Sequence, residues 1–324
     1  MPNIPRATAT FSTLPTLAAT SQPLVVRGLN LGTLSPYDLA TDLPHQPLEG
    51  GVETSFAPRI VYYGGNKPIA RVRGFEKWRS GVQRVFHLSA AGLLRRLHAA
   101  DAALYWPSEA DDHCPARTFY SYSAPNSTAA VNVTHRYLRT AELAAAATRI
   151  AAATPAPHRP RTPTPIVPIA PPHPEPLAHS LNLWLGGGGS TSAAHYDASL
   201  NLFAQLHGTK RWQLAPPTAE AELEPFSFLH PHSRRAQRPI SAAYDFTLSE
   251  NELLVLPPFW WHEVTATSAV SLSLNVWASV PPMLAVQRLM GAPARAIGAH
   301  NGSGGLFEDG AFSREARTAA LAWG

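Results

Sequence analysis

The sequence predicts a mainly β protein, an antiparallel sandwich or barrel preceded by mixed α/β elements and followed by a short helical C-terminal tail. Three observations predict it. After Leu177, seven short alternating or apolar segments bounded by turn residues follow one another within about a hundred residues. Before residue 154, apolar residues recur at both strand and helix spacing. Between the halves, prolines stand too densely for a helix or a central strand. A chain of 324 residues can bury a sizeable core around such a unit.

The elements follow in order. Residues 1–21 carry no strong periodicity and read as a flexible leader. From residue 22 to 153 the chain reads as a mixed α/β part. There QPLVVRG at 22–28 and PRIVYY at 58–63 are short strands, the second ending at the turn Gly64-Gly65-Asn66, and the chain between them is turn-rich. Ser89 is placed to cap a helix whose Leu93, Leu94 and Leu97 share a face, and Thr140 to cap an Ala-rich helix running to about Ala153. Residues 154–178 form a Pro-rich insertion, extended and polyproline-like; its PxxP spacings alone are weak evidence for a proline-recognising partner. Residues 179–280 supply the strands LNLWLG, SLNLFAQLHG, KRWQLAPP, AYDFTL, NELLVLPP, WHEVTATS and SLSLNVWA. The tail, 281–324, offers a helix near Leu284 to Met290.

Composition narrows the chemistry. Cys114 is the single cysteine, so an internal disulfide framework and a CxxC zinc module are both excluded, and any metal must sit on His and carboxylates. The 26 basic residues are scattered against 22 acidic ones, which does not indicate nucleic-acid binding. No apolar run reaches the roughly 18 residues of a membrane span. The first twenty residues lack both an acidic residue and the continuous apolar centre of a secretory signal. The expected location is therefore the cytoplasm or nucleus, with organelle import a weakly supported alternative.

One segment carries the chemistry: His195-Tyr196-Asp197. On a strand, residues i and i+2 project to one face, so an imidazole and a carboxylate converge on one spot. His262 opens the strand WHEVTATS after the apolar wall 254–261, and facing strands across a jelly-roll lumen would complete a two-His, one-carboxylate triad with three adjacent metal positions open. An isolated HxD is more often structural than metallic, so the context decides.

That context is HYDASLNLFAQLHGTKRWQLAPP from His195, FSFLHPHSRRAQ from Phe226, LLVLPPFWWHEV from Leu253 and SLSLNVW from Ser271. In this order the chain resembles the JmjC and cupin-like Fe(II)- and 2-oxoglutarate-dependent dioxygenases, in particular the small JmjC-only protein hydroxylases. The resemblance is strong from Trp184 to Trp277 and implies a double-stranded β-helix, the jelly roll of that family. It implies His195, Asp197 and His262 as iron ligands, and Lys210 as the cation for the distal carboxylate of 2-oxoglutarate. Lys210 also stands out by itself, as one of only three lysines among 26 basic residues; a compact ammonium fits a buried anion pocket that a guanidinium would not. Ser192 matches the hydroxyl that shares that carboxylate, with Thr191 as the choice if the register slips. Asn201, Asn275 and Trp277 match the cosubstrate pocket, although both asparagines equally suit the satisfaction of buried backbone groups.

The implied function is hydroxylation of a C–H bond by Fe(II), 2-oxoglutarate and O2, with succinate and CO2 as coproducts and a protein side chain as the substrate. N-methyl-lysine demethylation and tRNA-base hydroxylation are rivals within the class, and a non-catalytic metal- or partner-binding module is the rival outside it. Other patterns carry less. Gly186 to Gly189 lack the lysine of a phosphate loop and read as a turn. His230 and His232 fall in a loop rich in Pro and Arg. The N-x-[ST] matches at Asn126, Asn132 and Asn301 read as chance without a secretory signal. Trp260 and Trp261 read as core, with Trp261 placed to shield the metal.

The Pro-rich stretch gives the first prediction. Replacing residues 154–176 by a Gly/Ser linker of similar length should retain a cooperative thermal transition, because the segment can donate no regular ladder. Loss of that transition in calorimetry would make the stretch part of the core.

Overall fold

A computed structural model describes residues 2–18, 21–45, 52–55, 59–60, 84–86, 88–102, 119–123, 128–153, 179–226, 232 and 234–280. The Pro-rich insertion, the Gly64–Asn66 turn, Cys114, His230 and the tail helix lie outside these residues. In the N-terminal half run β1 (Arg6–Thr8), α1 (Leu14–Ala18), β2 (Leu24–Arg27), α2 (Pro36–Asp42), β3 (Val52–Ser55), β4 (Arg59–Ile60), β5 (Arg84–Phe86), α3 (Ala90–Ala102), β6 (Phe119–Ser123), α4 (Thr128–Tyr137) and α5 (Thr140–Ala153). In the second half run β7 (His179–Gly187), β8 (Thr191–Tyr196), β9 (Leu200–His207), β10 (Lys210–Ala215), a short 3-10 turn, α6 (Glu220–Leu223), β11 (Tyr244–Leu248), β12 (Leu253–Leu256), β13 (Trp261–Ala266) and β14 (Val270–Ala278).

Two sheets form the jelly roll. The larger runs β1-β2-β12-β9-β14-β7-β6-β3-β5 and the smaller β11-β10-β13-β8-β4. Strand parity sorts their apolar residues into two cores. Along the continuous apolar run of β12, Leu253 and Val255 turn outward to the helices, whereas Leu254 and Leu256 turn into the lumen. In β9, Leu202 and Phe203 divide in the same way. The lumen core comprises Ile4, Val25, Phe203, Trp212, Leu214, Leu248, Leu254, Leu256 and Trp260. A run that is apolar at every position is what a strand covered on both faces requires.

The outer core is supplied by the helices. Leu93 and Leu97 of α3, and Leu143, Ala146, Ala147 and Ile150 of α5, are buried against Leu272, Leu274 and Val276 of β14 and their neighbours. The methyl side chains of α5 let the helix lie close to the sheet. At Gly187 a Cβ would stand 2.8 Å from Leu97 Cδ2, so a larger residue there would displace the end of that leucine side chain. The Gly188-Gly189 pair makes the β7–β8 turn, Gly189 at φ +82°, and the Gly-rich stretch is a hairpin.

Several expectations are corrected. Residues 1–21 are not a flexible leader over their described part: β1 pairs with β2 in parallel, and Ile4, Leu14 and Ala18 are buried. The tie is ionic as well, because the buried carboxylate of Glu252 accepts from Arg6 at 2.5 Å, from Arg27 at 2.7 Å and from the Ser249 amide at 2.9 Å. The stretch that reads as turn-rich contains the helix α2, opened by a capping box in which Ser35 and Asp38 satisfy each other's backbone N–H with Pro36 at the first turn. Ser89 caps α3 as expected, accepting from the Gly92 amide at 3.1 Å. Thr140 does not cap α5. It is the first helical residue, its hydroxyl bonded to His135 Nδ1, while the Arg139 carbonyl accepts from Leu143. No helix among the described residues is long and apolar enough to cross a membrane.

Glu252 joins N-terminal β1 and β2 to β12, so Glu252→Ala should lower stability by about 2 kcal/mol, the scale of charge-assisted hydrogen bonds whose arginines remain partly solvated. A urea midpoint equal to wild type would show that packing alone holds the N-terminal strands.

Candidate metal centre

The site is built on two neighbouring strands. β8 and β13 pair antiparallel within the smaller sheet, with His195 directly opposite His262. The two strands therefore do not face each other across the lumen as expected; they are hydrogen-bonded neighbours, and an opposed pair brings the rings together within one sheet. The ring centroids are 4.1 Å apart. Asp197 follows the end of β8, its carbonyl accepting from the Phe259 amide at 2.7 Å. Its Oδ2 lies 3.7 Å from His262 Nε2. One donor atom from each of the three side chains falls within 4.8 Å of the others.

Both imidazoles are oriented by backbone carbonyls. His195 Nδ1 donates to the Ala193 carbonyl at 2.8 Å, and His262 Nδ1 to the Trp260 carbonyl at 3.0 Å. Each bond is to the residue two positions earlier and leaves Nε2 with its lone pair toward the centre. Burial is the largest influence holding both rings below the ordinary histidine range. For His195 the Arg235 charge adds to it, and for His262 the Asp197 charge opposes it. Neutral imidazoles beside a carboxylate fit a divalent cation.

A bulge decides which hydroxyl joins them. Between His262 and Val264 one residue of β13 faces two of β8, Ala193 and Ala194. The extra residue shifts parity, so Ser192, opposite Val264, shares the lumen face with His195. Thr191, opposite Thr265, is turned to the other face, where the two hydroxyls lie 2.9 Å apart. Of the two candidates, the register places Ser192 in the lumen.

Lys210 lies on β10, the other neighbour of β13, and shares a face with Trp212 and Leu214. Its ammonium reaches to 5.1 Å from the centroid of the Phe203 ring on the larger sheet. No described carboxylate pairs with it, and burial alone lowers its pKa to about 7. An uncompensated cation in an apolar lumen fits an anionic ligand. On the larger sheet, Asn275 donates to Asn201 at 3.0 Å and accepts from Trp184 Nε1 at 2.8 Å, with both asparagines buried. They thus bond each other and not only the backbone. Trp277 packs edge-on against Trp184. Its indole N–H is buried without a partner among the described residues, as is the Asn182 amide nitrogen.

Three contributors were not legible beforehand. Trp212 stacks on the His262 ring at 5.8 Å, whereas Trp261, expected to shield the metal, is turned to the outer core against Tyr196. Adjacent residues on a strand point oppositely, so Trp261 cannot share the face of His262. Trp212 could have been found as the residue two beyond Lys210. Asn182 opposes Asn275 across β7 and β14, which only the register shows. Arg234 places Nη1 3.4 Å from Asp197 Oδ1, and its loop position gives no periodic signal. His232 is buried against Phe226 and is not among the clustered donors.

The region that holds this site is similar to known proteins. The model of a cupin-like domain matches residues 127–280, which begins just before α4 and encloses the Pro-rich insertion. The chain is 33% identical over 115 residues to human HSPB1-associated protein 1, covering 29% of this chain and 22% of that protein. It is 34% identical over 112 residues to the lysine-specific demethylase JMJ30 of Arabidopsis thaliana, covering 31% and 26%. It is 36% identical over 114 residues to Jumonji C domain-containing protein 5 of Drosophila melanogaster, covering 32% and 28%. The matched part spans roughly a quarter of each of these relatives.

The lone cation yields a prediction with a definite sign. A lysine whose folded pKa is about 7, below its unfolded value, binds fewer protons folded than unfolded between the two, so stability should rise from pH 7 to pH 10. Lys210→Met should flatten that rise and stabilise the ligand-free protein at pH 8 by on the order of 2 kcal/mol. Urea titrations across this range check it; equal slopes would show Lys210 solvated.

Proposed function

With residues 127–280 a cupin-like domain of the JmjC type, we propose that the protein is an Fe(II)- and 2-oxoglutarate-dependent dioxygenase that hydroxylates a C–H bond of a protein side chain. The observation that carries the reading is the coincidence, in one lumen, of the His195, Asp197 and His262 donors with the unpaired cation of Lys210. When bound, iron, 2-oxoglutarate and dioxygen supply the oxidation of C–H to C–OH, with succinate and CO2 as coproducts.

The protein's own residues do the rest. His195, Asp197 and His262 hold the metal from one side and leave its remaining positions to the lumen. Lys210 neutralises the distal carboxylate of the cosubstrate, and Ser192, on the same face, donates its hydroxyl. The Asn201–Asn275 pair and the Trp277 N–H line the facing sheet with polar groups for the cosubstrate's oxygens. Trp212 and Phe203 exclude water from the centre, which strengthens each of these electrostatic contacts.

Two relatives' names keep rival substrates in view. JMJ30 is a lysine-specific demethylase, and a protein of Gibberella zeae 28% identical over 112 residues is a tRNA wybutosine-synthesizing protein. Oxidation of an N-methyl group would end in formaldehyde release, and a tRNA substrate would require a basic face, which the scattered charge does not supply. HSPB1-associated protein 1 is named for an association, which is the reading without turnover.

Succinate separates turnover from binding. Protein supplied with Fe(II), ascorbate and 2-oxoglutarate should form succinate slowly without added substrate, and Asp197→Ala should reduce this at least tenfold. Succinate at the variant's level in the wild type would favour the binding module.

A further inference from the structure

We propose that the segment 234–237 is a strap whose two adjacent arginines position His195 of β8 and Asp197 just beyond it as metal ligands. The proposal rests on the reading of His195, Asp197 and His262 as a metal centre.

The outer edge of β8 is shared between two partners. β4 pairs with its first half at Thr191 and Ser192. Beyond the bulge the strap takes over: the Tyr196 amide donates to the Arg234 carbonyl at 3.3 Å, and the Ala236 amide to the Ala194 carbonyl at 2.9 Å. His195 and Arg235 stand opposite each other in this bridge. The strap is itself fixed from behind, where Phe226 N–H donates to the Arg235 carbonyl at 3.0 Å.

From that backbone one side chain reaches Asp197 and the other the carbonyl that holds the His195 ring. Arg234 Nη1 lies 3.4 Å from Asp197 Oδ1, the oxygen other than the one facing His262. Occupying Oδ1 leaves Oδ2 directed at the centre and holds the carboxylate to one donor atom. Arg235 Nη1 donates at 3.0 Å to the Ala193 carbonyl, the acceptor that also orients His195 Nδ1 at 2.8 Å. A carbonyl has two lone pairs, and here one goes to each. The Arg235 bond thereby fixes the bulge carbonyl on which the His195 ring angle depends. Arg235 is buried, while Arg234 is partly exposed with φ at +69°. A non-glycine residue adopts that backbone at a cost, so the segment keeps Arg234 where fold stability alone would favour glycine.

This gives a test in which fold and ligand positioning move apart. Metal-free full-length protein is titrated with Co(II), followed by calorimetry and by the visible d–d absorption of the bound ion. Arg234→Gly should leave the metal-free thermal transition unchanged or higher, because glycine accepts the left-handed backbone, while weakening Co(II) binding 10–100-fold and altering the absorption. Arg235→Met should weaken it about tenfold, with Arg235→Lys restoring affinity to within about threefold of wild type. Wild-type affinity and spectrum in Arg234→Gly would overturn the strap while leaving the metal centre standing. A parallel fall in transition temperature and affinity would make Arg234 a support of the fold and overturn it as well. Co(II) binding by the wild type that is insensitive to His262→Ala would overturn the metal centre and the strap together.

Discussion

One extra residue in one strand governs this site. The bulge at Ala193-Ala194 lets His195 stand opposite His262 while Ser192, three residues earlier, remains on the same face. Without it, strict alternation would turn Ser192 away and bring Thr191 into the lumen. The same bulge presents the Ala193 carbonyl to both His195 and Arg235. A departure from regular pairing thus aligns the ligand ring, the hydroxyl and the supporting arginine around one peptide group.

The rest of the architecture serves to keep that strand pair dry and fixed. The smaller sheet turns Trp212, Leu214 and Leu248 inward, the larger turns Phe203, Leu254 and Leu256 toward them, and helices α2, α3 and α5 cover the larger sheet from behind. In this setting the histidines are held neutral by burial, ready to donate a lone pair. The lumen also contains groups that folding alone does not favour: an unpaired Lys210 and the unpartnered N–H groups of Trp277 and Asn182. Such groups lower the stability of the ligand-free protein and are of the kind that an anionic, oxygen-rich ligand would satisfy.

The segment after α6 has a structural role of its own. Its Ala236 and Ile240 pack with Leu223 of α6 into the outer core, and its Arg234 and Arg235 reach Asp197 and the Ala193 carbonyl of β8. Packing and electrostatics converge there, since burial of the strap's apolar residues fixes the backbone from which the two guanidinium groups reach.

The sequence by itself determined the strands of the second half, because their alternation and bounding turns depend on neighbours in the chain; its HxD spacing puts His195 and Asp197 on one strand face, and the family resemblance singled out His262 and Lys210 beside them. The caps of α2 were also legible in Ser35-Pro36-Tyr37-Asp38, although the stretch read as turns, because the helix is shorter than the window in which periodicity shows. The pairing of the N-terminal strand β1 was hidden for a different reason: Arg6 and Arg27 look like solvated charges until Glu252, far along the chain, is brought beside them. Only tertiary structure decided that His195 and His262 are neighbours within one sheet, that Ser192 and not Thr191 faces the lumen, and that Trp212 and not Trp261 lies against His262. Each of these depends on strand register, where a shift of a single residue exchanges the two faces, and register is set by pairing between segments that the linear order leaves apart.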